Sequence, residues 1–567
     1  MRLLAKSLTA VATFSSNVLF LRESTYWSLA NEFKPLVHTW SLAVEEQFYL
    51  CYPIALIGIY RLWKSKILIG LIIITACSFF ISLFISETNP EANFYLLPSR
   101  IWELTLGGII AIIQLHYPRN YQQITSGKLI NVLFSLLGIS MIFFSFIYLD
   151  ESFSYPGIWT LLPNLGTAMI IVFSNDQNLV SRFLGRKAFV HVGLISYSAY
   201  LWHQPLFAFM RYAIFPAPSV GHIMVALLMI YPLSVLSWKF VEQVFRDQHK
   251  ISRSSAIIIL ATGCLLLVSV GLLGYYTQGF PNRSVVKNLR IKNYVADNRV
   301  LHEQSWQPLQ EKTKETSYTK AGNQSDHLLW FDQQDPRRKV LLVGNSHSKD
   351  LYNVLMASDH FNQLYQLARY GTEIKYLGNI EHTFYDSPNY RAADVIMITS
   401  RYGIEDLDNM NMIIQKLQMD KKLTVIVENI HEFEQFGIHT IADFYVQKAN
   451  LKDDGLTSIK GLADEINKVH YHQYTSGPIL PNNLKIRELI KENDKILILD
   501  RMQYICDHPT QKCFAINNEL EKYFYDYGHH TLAGAQFFGQ RIDSIRWLAP
   551  LDSMIKIRND FIMNYPN

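Results

Sequence analysis

The sequence predicts a multi-pass α-helical membrane domain followed by an α/β three-layer domain built on a parallel sheet. Three observations lead there. Up to about residue 277 the 567-residue chain is a series of long apolar runs joined by short charged loops. Beyond that point, short continuous apolar runs alternate with segments of helical spacing, as in a soluble protein. The averages over the whole chain, 49% hydrophobic residues and a mean hydropathy of +0.06, are what two such unlike halves give when combined. A chain of this length also exceeds one ordinary domain.

A bilayer core takes about 20 apolar residues in helical form. The candidate spans are 3–21, 45–62, 67–86, 98–115, 129–148, 158–174, 190–212, 220–242 and 255–276. The first is interrupted by Ser15, Ser16 and Asn17. It reads as a membrane helix rather than a signal peptide, because no small-residue cleavage site follows it. Arg2 and Lys6, then Arg61, Lys64 and Lys66, then Arg119 and Lys128, then Arg182, Arg186 and Lys187, then Arg246, Lys250 and Arg253 fall on one side. The opposite loops are acidic or neutral, with Glu87 and Glu91 in one and Asp150 and Glu151 in another. Cationic loops stay in the cytoplasm, so the last span runs outward and delivers residues 277–567 to the outside. The net charge of +4 is small for the length and speaks against nucleic acid as a partner.

Ionisable groups at membrane depth are costly, and they are usually paired or functional. Glu45 and Glu46 follow His38-Thr39-Trp40-Ser41-Leu42-Ala43-Val44, Arg100 and Glu103 lie one helical turn apart, His203 ends Ser198-Ala199-Tyr200-Leu201-Trp202, and Glu242 closes a span. Each alone is more often a helix-end anchor or an interhelical ion pair; four such clusters together point to a polar path. The runs HTWSLAVEEQFYL, RxxEL, SYSAYLWHQP and FVEQxFR, in this order over residues 1–250, resemble the membrane acyltransferase family 3. That resemblance implies acyl transfer from a cytoplasmic donor, usually acetyl-CoA, to sugars across the membrane. The acyl path would be lined by Glu45, Glu46, Arg100, Glu103, His203 and Glu242. The histidine and Arg-rich motif of that family's first helices do not precede the HTWSL run, so the chain is expected to begin about two helices late. Residues 251–277 then form a linking transmembrane helix.

Residues 278–337 are polar without sustained periodicity and read as a linker. A domain over 338–550 follows, with strand-like runs at Lys339–Val343, Asp394–Ile398, Leu423–Val427 and Lys495–Leu499. Continuous buried strands separated by helices argue for a parallel sheet. The first strand runs into Gly344-Asn345-Ser346-His347-Ser348, which sets Ser346 at a strand-to-helix turn on the carboxyl edge of the sheet, where such folds bind ligands. Near the other end comes Asp526-Tyr527-Gly528-His529-His530, in which Asp526 is placed to orient the imidazole of His529, and His529 to deprotonate Ser346. His530 competes for the base role, but the spacing favours His529. Either motif alone is a weak signal, since many Gly-x-Ser turns only cap a helix. Of five cysteines, Cys51, Cys77 and Cys264 lie in apolar runs, while Cys506 and Cys513 are close together in the outer half. A disulfide is favoured there over free thiols. Zinc is disfavoured for want of a second ligand pair, so no metal is expected. His470 and His472 are a surface pair without a role.

Both blocks together resemble the SGNH hydrolase superfamily, a flavodoxin-like three-layer fold. GNSH stands where its first block reads GDS, and DYGHH where its last has DxxH. The resemblance implies Ser346, His529 and Asp526 as nucleophile, base and orienter. Gly371 is a positional guess for the oxyanion block, and Ser400-Arg401 for the block after it. Fusions of the two families resemble O-acetyltransferases of O-antigen, peptidoglycan and other envelope polysaccharides. The expectation is therefore a bacterial inner-membrane O-acyltransferase with a periplasmic C-terminal domain. It would take acetyl from acetyl-CoA, with no bound cofactor, and would have an envelope polysaccharide and the lipid bilayer as its other partners. The alternatives are a membrane-anchored glycan O-acetyl esterase and a non-catalytic transporter or glycan-binding scaffold.

Overall fold

In the computed structural model, which describes residues 2–24, 28–63, 66–150, 153–174, 178–214, 218–247, 249–277, 279, 294–451, 459–478, 480–490 and 496–564, the chain forms two units, Met1–Arg283 and Ser284–Asn567. The first unit is helical. Its opening segment, expected as one span over 3–21, is two short helices, α1 (Arg2–Ala12) and α2 (Ser16–Arg22). Phe14 takes a left-handed φ of 51° at the break. The polar residues that interrupt the apolar run serve as anchors. Ser16 Oγ donates to the Thr39 carbonyl at 2.8 Å, and Asn17 Nδ2 to that of Tyr95 at 3.1 Å.

The longer helices that follow are α3 (Thr39–Trp63), α4 (Ile67–Thr88), α5 (Ile101–His116), α6 (Lys128–Tyr148), α7 (Leu161–Phe173), α8 (Lys187–Ala213), α9 (Val220–Ser237) and α10 (Arg253–Tyr276). Among the described residues five are long and apolar enough to cross a membrane: α3, α4, α6, α10, and α9 with its continuation to Arg246. Helices α5 and α7 are apolar but shorter. Helix α8, 27 residues long, mixes apolar and polar residues and holds the SYSAYLWHQP run. A π-helical turn, Trp238–Glu242, carries α9 on to Arg246. Helices α6 and α7 meet backbone to backbone at Gly138 and Gly166. A Cβ on either glycine would lie 2.6–2.7 Å from the other's carbonyl oxygen. Small residues let membrane helices approach in this way.

The second unit is a three-layer α/β fold. Five parallel strands, β1 (Arg338–Gly344), β2 (Tyr365–Gly371), β3 (Val395–Thr399), β4 (Leu423–Val427) and β5 (Ile496–Leu499), lie in the order β2-β1-β3-β4-β5. Side chains alternate between two cores: Val340, Leu342, Met397 and Val425 face one layer of helices, and Leu341, Val343, Ile396, Ile398 and Ile426 the other. The four residues Val340–Val343 are wholly buried, worth about 1.5–3 kcal/mol each in transfer free energy. Both faces are covered, which is why these strands read as unbroken apolar runs. The order reverses between β1 and β3, the place where open α/β sheets bind ligands.

Three of the four expected strands lie within a residue of their expected ends; in the fourth, Lys495 lies outside the described residues. Strand β2 was not expected. The segment taken for a linker is structured from residue 294 onward: helix α11 (Asn298–Thr313) packs Trp306 and Leu309 into one core, with Tyr318 beside them and Phe331 in the other. Its apolar residues are too widely spaced to show a period, yet each fills a fixed place. Residues 280–293 lie outside the described residues. Cys506 and Cys513 are joined by a disulfide across a short antiparallel pair.

Candidate active site

The nucleophile turn is fixed by its backbone. Gly344 ends β1 at φ +151°, and a Cβ there would fall 1.8 Å from the Thr399 carbonyl oxygen on β3, so no other residue fits. Asn345 caps helix α12 (Ser346–Met356): its Oδ1 accepts the amides of His347 at 3.2 Å and Arg401 at 3.3 Å, and its Nδ2 donates to Glu373 at 3.3 Å. Arg369, fully buried on β2, donates to the Asn345 carbonyl at 3.1 Å, to Ser348 Oγ at 2.7 Å and to the Thr319 carbonyl at 3.0 Å. These bonds hold Ser346 at the start of a helix, whose N-terminal dipole suits developing negative charge.

Ser346 Oγ lies 3.2 Å from His529 Nε2. The other ring nitrogen, Nδ1, donates at 2.5 Å to Asp350 Oδ2, one turn into α12. Asp350, and not Asp526, is thus the carboxylate against the imidazole. Asp526 Oδ1 accepts the amides of Gly528 at 3.0 Å and His529 at 2.7 Å, folding the loop that carries the histidine. The sequence left a signal for Asp350: it stands four residues after Ser346, on one helical face. The DxxH spacing drew attention to the other acid.

Asp350 is fully buried beside Lys349, equally buried, whose Nζ is 2.6 Å from Asp350 Oδ1. Lys349 also donates to Ser305 Oγ at 2.9 Å and Tyr525 OH at 3.1 Å, and lies over the rings of Trp306 and Tyr525. Burial pushes the Asp350 carboxyl up, but the Lys349 ammonium, His529 and His530 outweigh it and hold the group well below the usual carboxylate range. The acid that faces the base therefore stays ionised. Burial holds His347 well below its ordinary value, and its ring stacks on His529 at 4.3 Å. His530, which competed for the base role, is buried among Tyr504, Phe524 and Phe538. Burial takes its pKa down to about 3. His347, Asp350 and His529 bring ligand atoms within 4.8 Å of one another, a donor set that suits a divalent ion. Lys349 already supplies positive charge at that carboxylate.

Gly371, the guess for the oxyanion site, has its amide committed to Asp326 Oδ2 at 2.8 Å. Ser400 Oγ is buried without a partner, and the Arg401 side chain pairs with Glu432. His470 is buried in the core rather than on the surface, and burial lowers its pKa to about 4.

In the helical unit two of the four sequence clusters reach the HTWSL run, His203 beside His38 and Arg100 over Trp40. The rings of His38 and His203 are 5.2 Å apart, and Ser41 Oγ is 2.6 Å from Tyr200 OH. Tyr200 also donates to the His38 carbonyl. Arg100 bonds both Glu103 oxygens at 3.2 Å and lies over Trp40. Ser198 donates to Glu242, which pairs with Arg246 at 3.6 Å. Glu45 is half-buried and Glu46 exposed on α3.

The Ser284–Asn567 unit thus has a three-layer α/β fold in which a hydroxyl, an imidazole and a carboxylate stand in line. Residues 6–239 match the family model of the acyltransferase domain, and residues 314–544 that of the SGNH domain fused to AT3 domains. The chain joins a domain of acyltransferase family 3 to an SGNH domain, and it is a membrane protein. The O-acetyltransferase OatA of Staphylococcus aureus (strain NCTC 8325 / PS 47) is 26% identical over 249 residues, 42% of this chain and 41% of its own length. A second S. aureus protein, SACOL0978 of strain COL, is 28% identical over 242 residues, 40% of each chain. The chain thus spans about two fifths of the length of the curated relatives it matches. No solved structure matches it significantly.

Proposed function

We propose that this protein is an O-acyltransferase that moves acetyl from cytoplasmic acetyl-CoA to hydroxyls of a cell-envelope polysaccharide, carrying the group as an ester on Ser346. It would lie in a bacterial inner membrane with the Ser284–Asn567 unit in the periplasm. The observation that carries the reading is Ser346 within 3.2 Å of an imidazole backed by a buried, ionised carboxylate, in a domain joined to an acyltransferase domain. The polar cluster around His38, His203 and Glu242 supports a path for the acyl group through the helical unit.

In the outer unit, His529 Nε2 takes the Ser346 proton as Oγ bonds the acyl carbon, and returns it to the leaving group. Asp350 holds the ring by its Nδ1–H and stabilises the imidazolium. A sugar hydroxyl then gives its proton to Nε2 and attacks the ester; Ser346 Oγ leaves and is reprotonated. Water in place of the sugar gives an esterase, and the half-buried position of Ser346 is equally open to that second reading. Purified full-length protein in detergent, given an aryl acetate with and without an acceptor glycan, separates the two. Transfer predicts an acetylated sugar formed at the expense of free acetate, and Ser346→Ala abolishes both. Hydrolysis indifferent to the acceptor supports the esterase, and full acetylation in cells carrying Ser346→Ala would return the scaffold.

A further inference from the structure

Beside the turn that holds Ser346 lies a cleft of about 890 Å³, near the top of the range for small-molecule sites, about 300–1,000 Å³. Two of its wall residues touch Asn345, the neighbour of the nucleophile: Glu373 accepts from Asn345 Nδ2 at 3.3 Å, and the Arg401 amide donates to Asn345 Oδ1 at 3.3 Å. The Arg401 guanidinium lies over the Tyr527 ring, on the loop that carries His529. One end of the cleft therefore adjoins the nucleophile turn and the histidine loop.

Its walls are strongly charged, yet the charges are matched. Lys320 pairs with Glu373 at 3.1 Å, Lys375 with Glu405 at 2.7 Å, and Arg401 with Glu432 at 2.6 Å. The fourth carboxylate, Asp406, accepts the amides of Gly403 at 2.8 Å and Lys375 at 2.7 Å. Three cations against four carboxylates leave no surplus positive charge for an anion. A hydroxyl, which both donates and accepts, fits between fixed pairs of this kind. Tyr376, just over half exposed, stands at the wall as an apolar face against which a sugar ring can stack.

We propose that this cleft is the acceptor subsite and that it takes an uncharged glycan segment of more than one sugar ring, excluding polyanionic chains. This rests on the reading of Ser346 as the acyl carrier. The bound sugar presents a hydroxyl to the Ser346 ester. Its oxygen bonds the acyl carbon as its proton passes to His529 Nε2, and Ser346 Oγ departs with a proton returned from that nitrogen.

The experiment compares a neutral N-acetylhexosamine trimer with a uronic acid trimer. Binding to the full-length Ser346→Ala protein by calorimetry reads the cleft without chemistry; transfer from an aryl acetate to each trimer by the unaltered protein reads it with chemistry. The neutral trimer should bind and accept acetyl at least tenfold better than the uronate. Tyr376→Ala should weaken neutral-trimer binding about tenfold, and Glu405→Lys, at an exposed position, should narrow the preference at least fivefold. Equal binding of both trimers, or a preference that neither variant moves, overturns the proposal even where Ser346-dependent hydrolysis is intact. Preferential binding of the neutral trimer without Ser346-dependent chemistry upholds the cleft and removes the acyl-carrier reading instead.

Discussion

At the residue scale the relay turns on which carboxylate serves His529. Asp350→Asn keeps the shape of the site but leaves the imidazole without its acceptor, so aryl acetate hydrolysis should fall about 10³–10⁴-fold, as on loss of a triad carboxylate. Asp526→Asn alters a loop bond and should cost far less; initial rates for the two variants at equal folded fraction decide the assignment, and the reverse order would restore Asp526. The buried histidines give the outer unit an acid limb. His530, whose pKa falls to about 3 by burial, stays neutral in the folded state while the unfolded chain protonates below about 6.5. The unfolded state then binds more protons, and stability is lost as pH falls from about 6.5 toward 3. Asp350 works over a lower window: its contribution is present above the unfolded carboxylate value near 3.9 and is lost as pH drops through its depressed folded value. His347, and His302 and His470 at about 4 each, share the upper limb, burial being the leading cause in each case. His530→Phe, with both ring nitrogens already unpartnered, should flatten part of the pH 6.5–4 slope without loss of stability at pH 7. Thermal unfolding in detergent across that range measures it; an unchanged slope refutes the assignment.

At the scale of elements, two glycine devices do opposite work. Gly344 lets β1 pass Thr399 and turn into α12, whereas Gly138 and Gly166 bring two helices into backbone contact. Gly138→Leu has nowhere to put its side chain and should cost about 1–3 kcal/mol or splay the pair; the unfolding temperature of the purified protein reads this, and no change would mean that the two helices do not meet as described. What the sequence revealed of the elements follows how each is buried. Strands β1, β3 and β4 are covered on both faces and announced themselves as apolar runs. Strand β2 has Gln366 and Arg369 inside it, because its Arg369 braces the nucleophile turn, so local hydropathy hid it. The first 22 residues carried a membrane-like composition, but three polar residues mark a break used for anchoring rather than a flaw in one span. Ser346 and His529 were legible because each closes a motif at a strand or helix edge. Asp350 offers only its four-residue spacing from Ser346, because a carboxylate within a helix looks like surface until its burial is known.

At the scale of the whole chain, the side on which the outer unit lies depends on few assumptions. If the eight longer helices between residues 38 and 277, α3 to α10, each cross once, the even number of crossings returns the chain to the side from which it set out. Whether α1 and α2 together cross does not alter this count. At or beyond the C-terminal ends of α3, α5, α7 and α9 stand Arg61, Arg119, Arg182 and Arg246, and at or beyond those of α4 and α6 stand Glu87, Glu91 and Asp150, so cationic and acidic ends alternate along that count. On the reading proposed above, with cationic loops held in the cytoplasm, residues 277 onward would lie outside. A chain with Cys51, Cys77 and Cys264 changed to serine tests the count directly, because Cys506 and Cys513 are disulfide-bonded and leave no other thiol. A single cysteine placed at exposed Asn518 in the outer unit should react with a membrane-impermeant maleimide on intact spheroplasts. One at exposed Arg119, between α5 and α6, should react only after lysis. The opposite pattern would put Ser346 beside cytoplasmic acetyl-CoA, leave the acyl group no membrane to cross, and strip the polar cluster of α3, α8 and α9 of its proposed role. Labelling at both positions only after lysis would mean an even number of crossings between residue 119 and residue 277, which removes the shorter helix α7 or the polar α8 from the count.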